Sequence, residues 1–363
     1  MSLEEGRISR LQLFLLVSGF IMGAELITSI TSINVGKYNF LVMIGAIVEG
    51  VIIAYIFISL IEKFPGKTLV GINDVIYGKY LGRIISSLYI IHFILSISLH
   101  VRYFGDFFLS LLFPEMPLVF IMSLLLIIAN YSIKNGIEVM TRCSFILIIM
   151  FVSEVVITTV LLIPQMDFSN FLPLFDIELK SFLKAIHAMA AIVFGDLIVF
   201  FMIIPYVNET KNIKKTTIAG ILFGGFILLI ILFRNISILG VTARIYSYPS
   251  FQSVRLINIR EVISRIEILV VAGVIFLMFL RVAVIYYSSI IGMAKLLNLR
   301  SYLPLITPIG IIALNIGLLL IENTIEQFEF GLETYHIYAV PFEIGIPLLS
   351  LIIAKFKRKE YLN

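Results

Sequence analysis

The chain has 363 residues, 60% of them hydrophobic and 14% charged, with a formal net charge of +4 and one cysteine. Soluble domains are roughly 45–50% apolar and about 25% charged, so a single water-soluble core is excluded and a polytopic membrane protein is indicated. The basic residues form no clustered face, which argues against nucleic acid as a partner.

The N-terminal MSLEEGRISRL is mixed in charge, and the apolar run behind it is too long for a signal-peptide core, so it reads as a retained first helix. That run, residues 10–33, carries Glu25 two residues after Gly23 and then Thr28, Ser29 and Thr31. Nine further runs of membrane-spanning length fall at 39–62, 82–111, 117–134, 143–164, 183–206, 216–240, 262–293, 302–321 and 337–355. The second holds Glu49 and ends at Glu62, and the third holds His92, His100, Arg102 and Asp106. Glu62, Arg102 and Asp106 lie near helix ends, where long side chains snorkel to water. The fifth opens on Cys143, read as a buried inert thiol, and contains Glu154. The sixth carries FGDLI at 194–198, and the seventh carries GILFGG, whose Gly220 and Gly224 allow two helices to approach closely. Thr242–Arg265 holds four arginines and YSYP, and reads as a folded loop with a short amphipathic piece. The eighth run is long enough to demand tilt and holds Arg281.

Ten spans put both termini on one side. Seventeen Lys and Arg fall on the N-terminal side and nine on the other, with Arg281 left over, which predicts both termini in the cytoplasm. No loop is long enough for a soluble domain, so residues 1–363 form one integral membrane domain.

Ten helices divide into repeats at about 10–164 and 183–355. GAELI (23–27) and FGDLI (194–198) then occupy matching places, each with glycine before an acid midway along its helix. Interrupted helices at corresponding points of two halves point to a transporter-type binding site. A break frees C=O groups of one half-helix and N–H groups of the next, and these need partners in hydrocarbon. A zwitterion supplies both, its ammonium to the carbonyls and its carboxylate to the N–H groups.

Glu25 lies fifteen residues after Arg10, about 22 Å along a helix, and Arg281 fourteen before Lys295, about 21 Å, so both are deep in the bilayer. Asp196 sits between Lys184 and Pro205. Each buried charge costs on the order of 2.5–3.5 kcal/mol on insertion scales and therefore needs a partner. Two readings stand: a structural ion pair of Glu25 or Asp196 with Arg281, or a ligand or proton site made from the same groups. His92, His100, His187 and His336 have no metal-ligand spacing and there is no cysteine cluster, so no metal or other cofactor is expected. VFGD shares half of an intramembrane aspartyl protease motif, but Val193 stands where that motif needs glycine, and no hydrolase triad can be assembled, so no enzyme is expected.

The layout resembles the amino acid–polyamine–organocation transporter superfamily and, more closely, the B-type subunits of bacterial spore germinant receptors. The resemblance rests on IMGAELIT (21–28), FPGKTLVGINDVIYGKYLGR (64–83), FGDLIVFFMIIPYV (194–207), YPSF (248–251), SRIE (264–267) and the basic KFKRK tail. It implies an all-α membrane protein of two inverted five-helix repeats, LeuT-like, with helices 1 and 6 broken and a pocket between helices 1, 3, 6 and 8. By position, Gly23, Ala24, Glu25 and Leu26 line the first break and Phe194, Gly195 and Asp196 the second. Ser96 and His100 come from helix 3, and Arg281 and Ile285 from helix 8. The implied role is sensing an amino acid or another small germinant in the inner membrane of a spore, with a larger membrane subunit and a lipoprotein subunit as partners. The sequence departs from the pattern at Glu25, where relatives often carry a small residue, and at Arg281, where hydroxyls are commoner. Reciprocal charges at these places predict a compensated Glu25–Arg281 pair. A proton-coupled amino-acid transporter is the alternative, and a purely structural assembly subunit is the third class.

Overall fold

A computed structural model of the chain describes residues 4, 6–31, 35–173, 177–209, 211–257 and 266–361. Arg260 and Arg265 of the four-arginine loop, the start of SRIE and Asn34 lie outside the described residues, as do the side chains of Lys357, Arg358 and Lys359. The described residues are almost entirely helical. Their one extended contact is a parallel bridge of Ile8 with Val207.

The spans are α1 (Arg10–Met22), α2 (Asn39–Lys63), α3 (Lys79–Leu111), α4 (Leu118–Lys134), α5 (Gly136–Leu162), α6 (Leu179–Phe194), α7 (Ile213–Leu239), α8 (Glu267–Leu296), α9 (Leu303–Leu320) and a composite α10 (Thr324–Phe356). Nine of these segments, with the short turns that extend α1, α5, α6 and α7, are long and apolar enough to cross a membrane, and α4 follows at 17 residues. α1, α3, α6 and α8 form the interior; α1 packs on α5, α7 and α8, and α3 packs on α4, α8 and α9. α2, α4 and α5 turn large apolar side chains outward, such as Ile52, Ile127 and Ile146, as a lipid-facing surface requires. Cys143 is on that outer surface and not buried as expected, because the helical period of α5 turns it away from the interior that Thr141 and Ser144 face.

The GILFGG segment performs as read. A Cβ on Gly220 would come within 2.9 Å of Val17, and one on Gly224 within 2.8 Å of Ile21, so both glycines are needed for α7 to lie against α1. Gly224→Leu is expected to destabilise the protein by at least about 1–3 kcal/mol. Gly71→Ala, where a Cβ meets nothing closer than 3.6 Å, is expected to be neutral. Thermal melting of the purified variants checks both.

Arg102 and Asp106 do not snorkel. Both are 3% exposed and joined at 3.0 Å. Arg102 also donates to the carbonyls of Gly317 (3.3 Å), Ile321 and Glu322 (3.1 Å). It closes the C-terminal end of α9, whose last carbonyls have no intrahelical donor.

On the face carrying the N-terminus, the first residues latch onto the bundle. Ile8 N–H donates to Tyr206 O at 3.0 Å, and Tyr287 and Tyr302 donate their hydroxyls to Glu4 at 3.1 and 3.4 Å. Burial, together with the Glu4 carboxylate, pushes the Tyr302 hydroxyl up to about 12.

Candidate functional site

α1 ends at Met22, and the chain continues through Gly23 and Ala24 into a 3-10 turn at Glu25–Ile27. α6 ends at Phe194 and tightens into a 3-10 helix over Gly195–Met202. Runs of this kind longer than 3–4 residues are uncommon and mark hinges or strained segments. Both interruptions fall where GAELI and FGDLI predicted them. The glycines are not there for backbone freedom. Gly23 (φ −62°) and Gly195 (φ −61°) have ordinary helical backbone. What they lack is a side chain: a Cβ on Gly23 would strike Leu277 O of α8 and lie 2.9 Å from Arg281 Cβ, and one on Gly195 would strike the Glu343 carboxylate of α10.

Each interruption leaves carbonyls without a donor. In α1 the cap N–H of Gly23 bonds to Gly19 O and Ile21 O, which passes over Phe20 O. In α6 the cap N–H of Gly195 bonds to Ala190 O and Ala191 O and so serves neither Ile192 O nor Val193 O. Arg281 of α8, fully buried, takes all three. Its Nη1 donates to Phe20 O (3.0 Å) and Val193 O (3.1 Å), and its Nη2 to Ile192 O (2.9 Å) and Asp196 Oδ2 (3.0 Å). Its Nε donates to His100 Nε2 at 2.7 Å, and the guanidinium lies 4.4 Å from the Phe20 ring. A guanidinium has five donors, and all five have acceptors here.

Because His100 Nε2 accepts from Arg281, its proton sits on Nδ1, which donates to Ser96 O at 2.7 Å. Asp196, also fully buried, accepts in addition from Ser96 Oγ at 3.0 Å and Tyr335 OH at 3.3 Å. Arg281, Asp196, His100 and Ser96 therefore form one saturated cluster between helices 1, 3, 6 and 8. Ile285, one turn beyond Arg281, is buried. Phe194, next to Gly195, packs its ring against Gly50 of α2.

The Glu25–Arg281 pair predicted from reciprocal charge does not form. The partner of Arg281 is Asp196 at 3.0 Å, and no Arg281 donor remains for Glu25. The turn at Gly23–Ala24 carries Glu25 to the far side of the break, away from the N-terminal face. There Glu25 and Leu26 line a cavity with Thr28, Asn39, Asn235 and Ser250. Ser250 accepts there from Asn235 Nδ2 at 2.8 Å. Arg234 of α7 is 1% exposed and donates to Thr158 Oγ1 at 2.6 Å and to Asn235 Oδ1 at 3.3 Å.

Three participants had no place in the sequence reading: Tyr335, Glu343 and the Asn235–Ser250 pair, joined at 2.8 Å. Glu343 is fully buried with no hydrogen-bond partner on either oxygen. It stands twelve residues before Lys355, about 18 Å along a helix, a depth that marks it as firmly as Arg281 is marked. Among the described residues no group of His, Cys, Asp and Glu could hold a metal ion.

The chain matches the family model described as spore germination protein over residues 7–325. It is 24% identical over 363 residues to spore germination protein KB of Bacillus subtilis (strain 168), covering 99% of this chain and 97% of that one. It is 25% identical over 279 residues to the putative spore germination protein YfkT of the same organism, covering 76% of each chain. A multi-pass helical bundle with two interrupted helices and a match along most of its length make this chain a member of the spore germination protein family.

Proposed function

We propose that the chain is a nutrient-sensing membrane subunit of a spore germinant receptor, which binds a small polar molecule, an amino acid by class, beside its two interrupted helices and does not carry it across. The observation that supports this reading is Arg281. A transported zwitterion needs the carbonyl ends of the half-helices for its ammonium group, and Arg281 already fills them from within the protein. A proton-coupled transporter would need that cation site vacant at some point in each cycle. In the proposed arrangement the two five-helix halves are inverted repeats, both termini are cytoplasmic, and the subunit works in the inner membrane with a larger membrane subunit and a lipoprotein subunit. Relatives named as germination proteins support the setting.

Ser96→Ala and Tyr335→Phe each remove one hydrogen bond to the Asp196 carboxylate while keeping the ion pair. A hydrogen bond to a charged group contributes about 1.5–3 kcal/mol, so each is expected to shift the half-maximal germinant concentration at least about tenfold at unchanged protein level. Dose–response curves of spores carrying each variant check this. Unshifted curves for both would refute a sensing role for the cluster.

A further inference from the structure

We propose that the cavity between α1, α7 and the short helix Pro249–Arg255 binds an organic ammonium group through Glu25. The inference rests on the sensing role above and names the class of ligand.

Charge is the first argument. Glu25, 8% exposed, lines the cavity, and among the described residues no cation lies within 4.0 Å of its carboxylate. The neighbouring Arg234 spends its donors on Thr158 and Asn235, and Glu154 accepts from Thr158 Oγ1 at 3.3 Å. Glu25 is therefore the buried acid without a cation here, and buried charges need partners. Asp196 differs: a guanidinium and two hydroxyls bind it, so a ligand has nothing to add there.

Size and wall chemistry fit the same occupant. About 20 Å³ of the cavity is open to the centre of a water-sized sphere, enough for one such group, and an –NH3+ head is of that size. Its surroundings include Phe251, whose ring already has the Arg255 guanidinium 5.9 Å from its centroid, and the edge-to-face pair of Phe107 and Tyr248, with ring centroids 5.0 Å apart. Aromatic faces attract a cation stripped of water. The Tyr248 hydroxyl is buried, with the Ser110 hydroxyl as its nearest polar neighbour, and its oxygen keeps a lone pair that can accept. A carboxylate in the same place would face Glu25.

The test uses the purified full chain in nanodiscs, with ethylammonium chloride, potassium chloride and sodium propionate as probes at matched ionic strength, read by calorimetric binding and melting temperature. Ethylammonium is expected to bind and raise the melting temperature, and potassium and propionate to do neither. Glu25→Gln is expected to weaken ethylammonium at least tenfold, Ser250→Ala and Tyr248→Phe about three- to tenfold, and Glu49→Gln not at all. Equal binding of potassium, no binding of ethylammonium, or unchanged affinity in Glu25→Gln would overturn the proposal. Should Glu25→Gln not fold, unchanged affinity in both Ser250→Ala and Tyr248→Phe would do so. If these fail while Ser96→Ala still shifts germination, the ammonium site is wrong and the sensing role stands.

Discussion

Arg281→Gln is expected to lower the melting temperature and the yield of folded protein sharply. The substitution leaves Asp196 buried without a cation and removes donors from Phe20 O, Ile192 O and Val193 O. Breaking a buried ion pair from one side costs about 3–5 kcal/mol, and each orphaned carbonyl adds about 1–3 kcal/mol. Whole domains are stable by only about 5–15 kcal/mol. Arg281→Lys is expected to be intermediate, because an ammonium has three donors for five fixed acceptors. The pairing itself is tested by a cycle. Asp196→Asn with Arg281→Gln is expected to be milder than the sum of the single changes, whereas Glu25→Gln with Arg281→Gln is expected to be additive. Size-exclusion profiles and melting temperatures of the detergent-solubilised variants give the comparison. Coupling of Arg281 to Glu25 but not to Asp196 would contradict the geometry.

Gly195→Ala is the second change with a large expected effect. Its Cβ would fall on the Glu343 carboxylate, which is fully buried and has no route to water. Overpacking of a closed core costs about 1–3 kcal/mol, and the displaced carboxylate lies beside the Asp196 cluster, so loss of the germination response is expected along with a lower melting temperature. Glu343→Ala removes the three atoms nearest to the new Cβ. Gly195→Ala with Glu343→Ala is therefore expected to melt well above Gly195→Ala alone. A double variant no more stable than the single one would show that the contact is not what makes glycine necessary.

The sequence carries the fold through its apolar runs. Ten runs became ten helical segments, and GAELI and FGDLI marked both interruptions. Depth within a run was also legible: Arg281, Asp196 and Glu25 were found by counting residues from the nearest aqueous end. Pairing was not legible. Whether Arg281 meets Asp196 or Glu25 depends on how α1, α6 and α8 are rotated against one another, which no periodicity within one helix specifies. The same counting misplaced Arg102, which lies toward the end of its own helix but serves the open carbonyls of α9. Arg234, which the counting did not single out, serves Thr158 of α5. The role of the glycines was not legible either: at Gly23 and Gly195 the φ values are ordinary and close approach decides the residue. Glu343 was within reach of the depth argument that found Arg281.

Arg281 is a built-in cation at the ends of two half-helices, and the proposed consequence is binding without transport. The direct measurement is uptake by proteoliposomes of the purified chain, given a mixture of the twenty labelled amino acids with and without an inward proton gradient. The account predicts saturable retention of about one molecule per chain at most, unchanged by the gradient. Accumulation that rises with the gradient and far exceeds the amount of protein would contradict it.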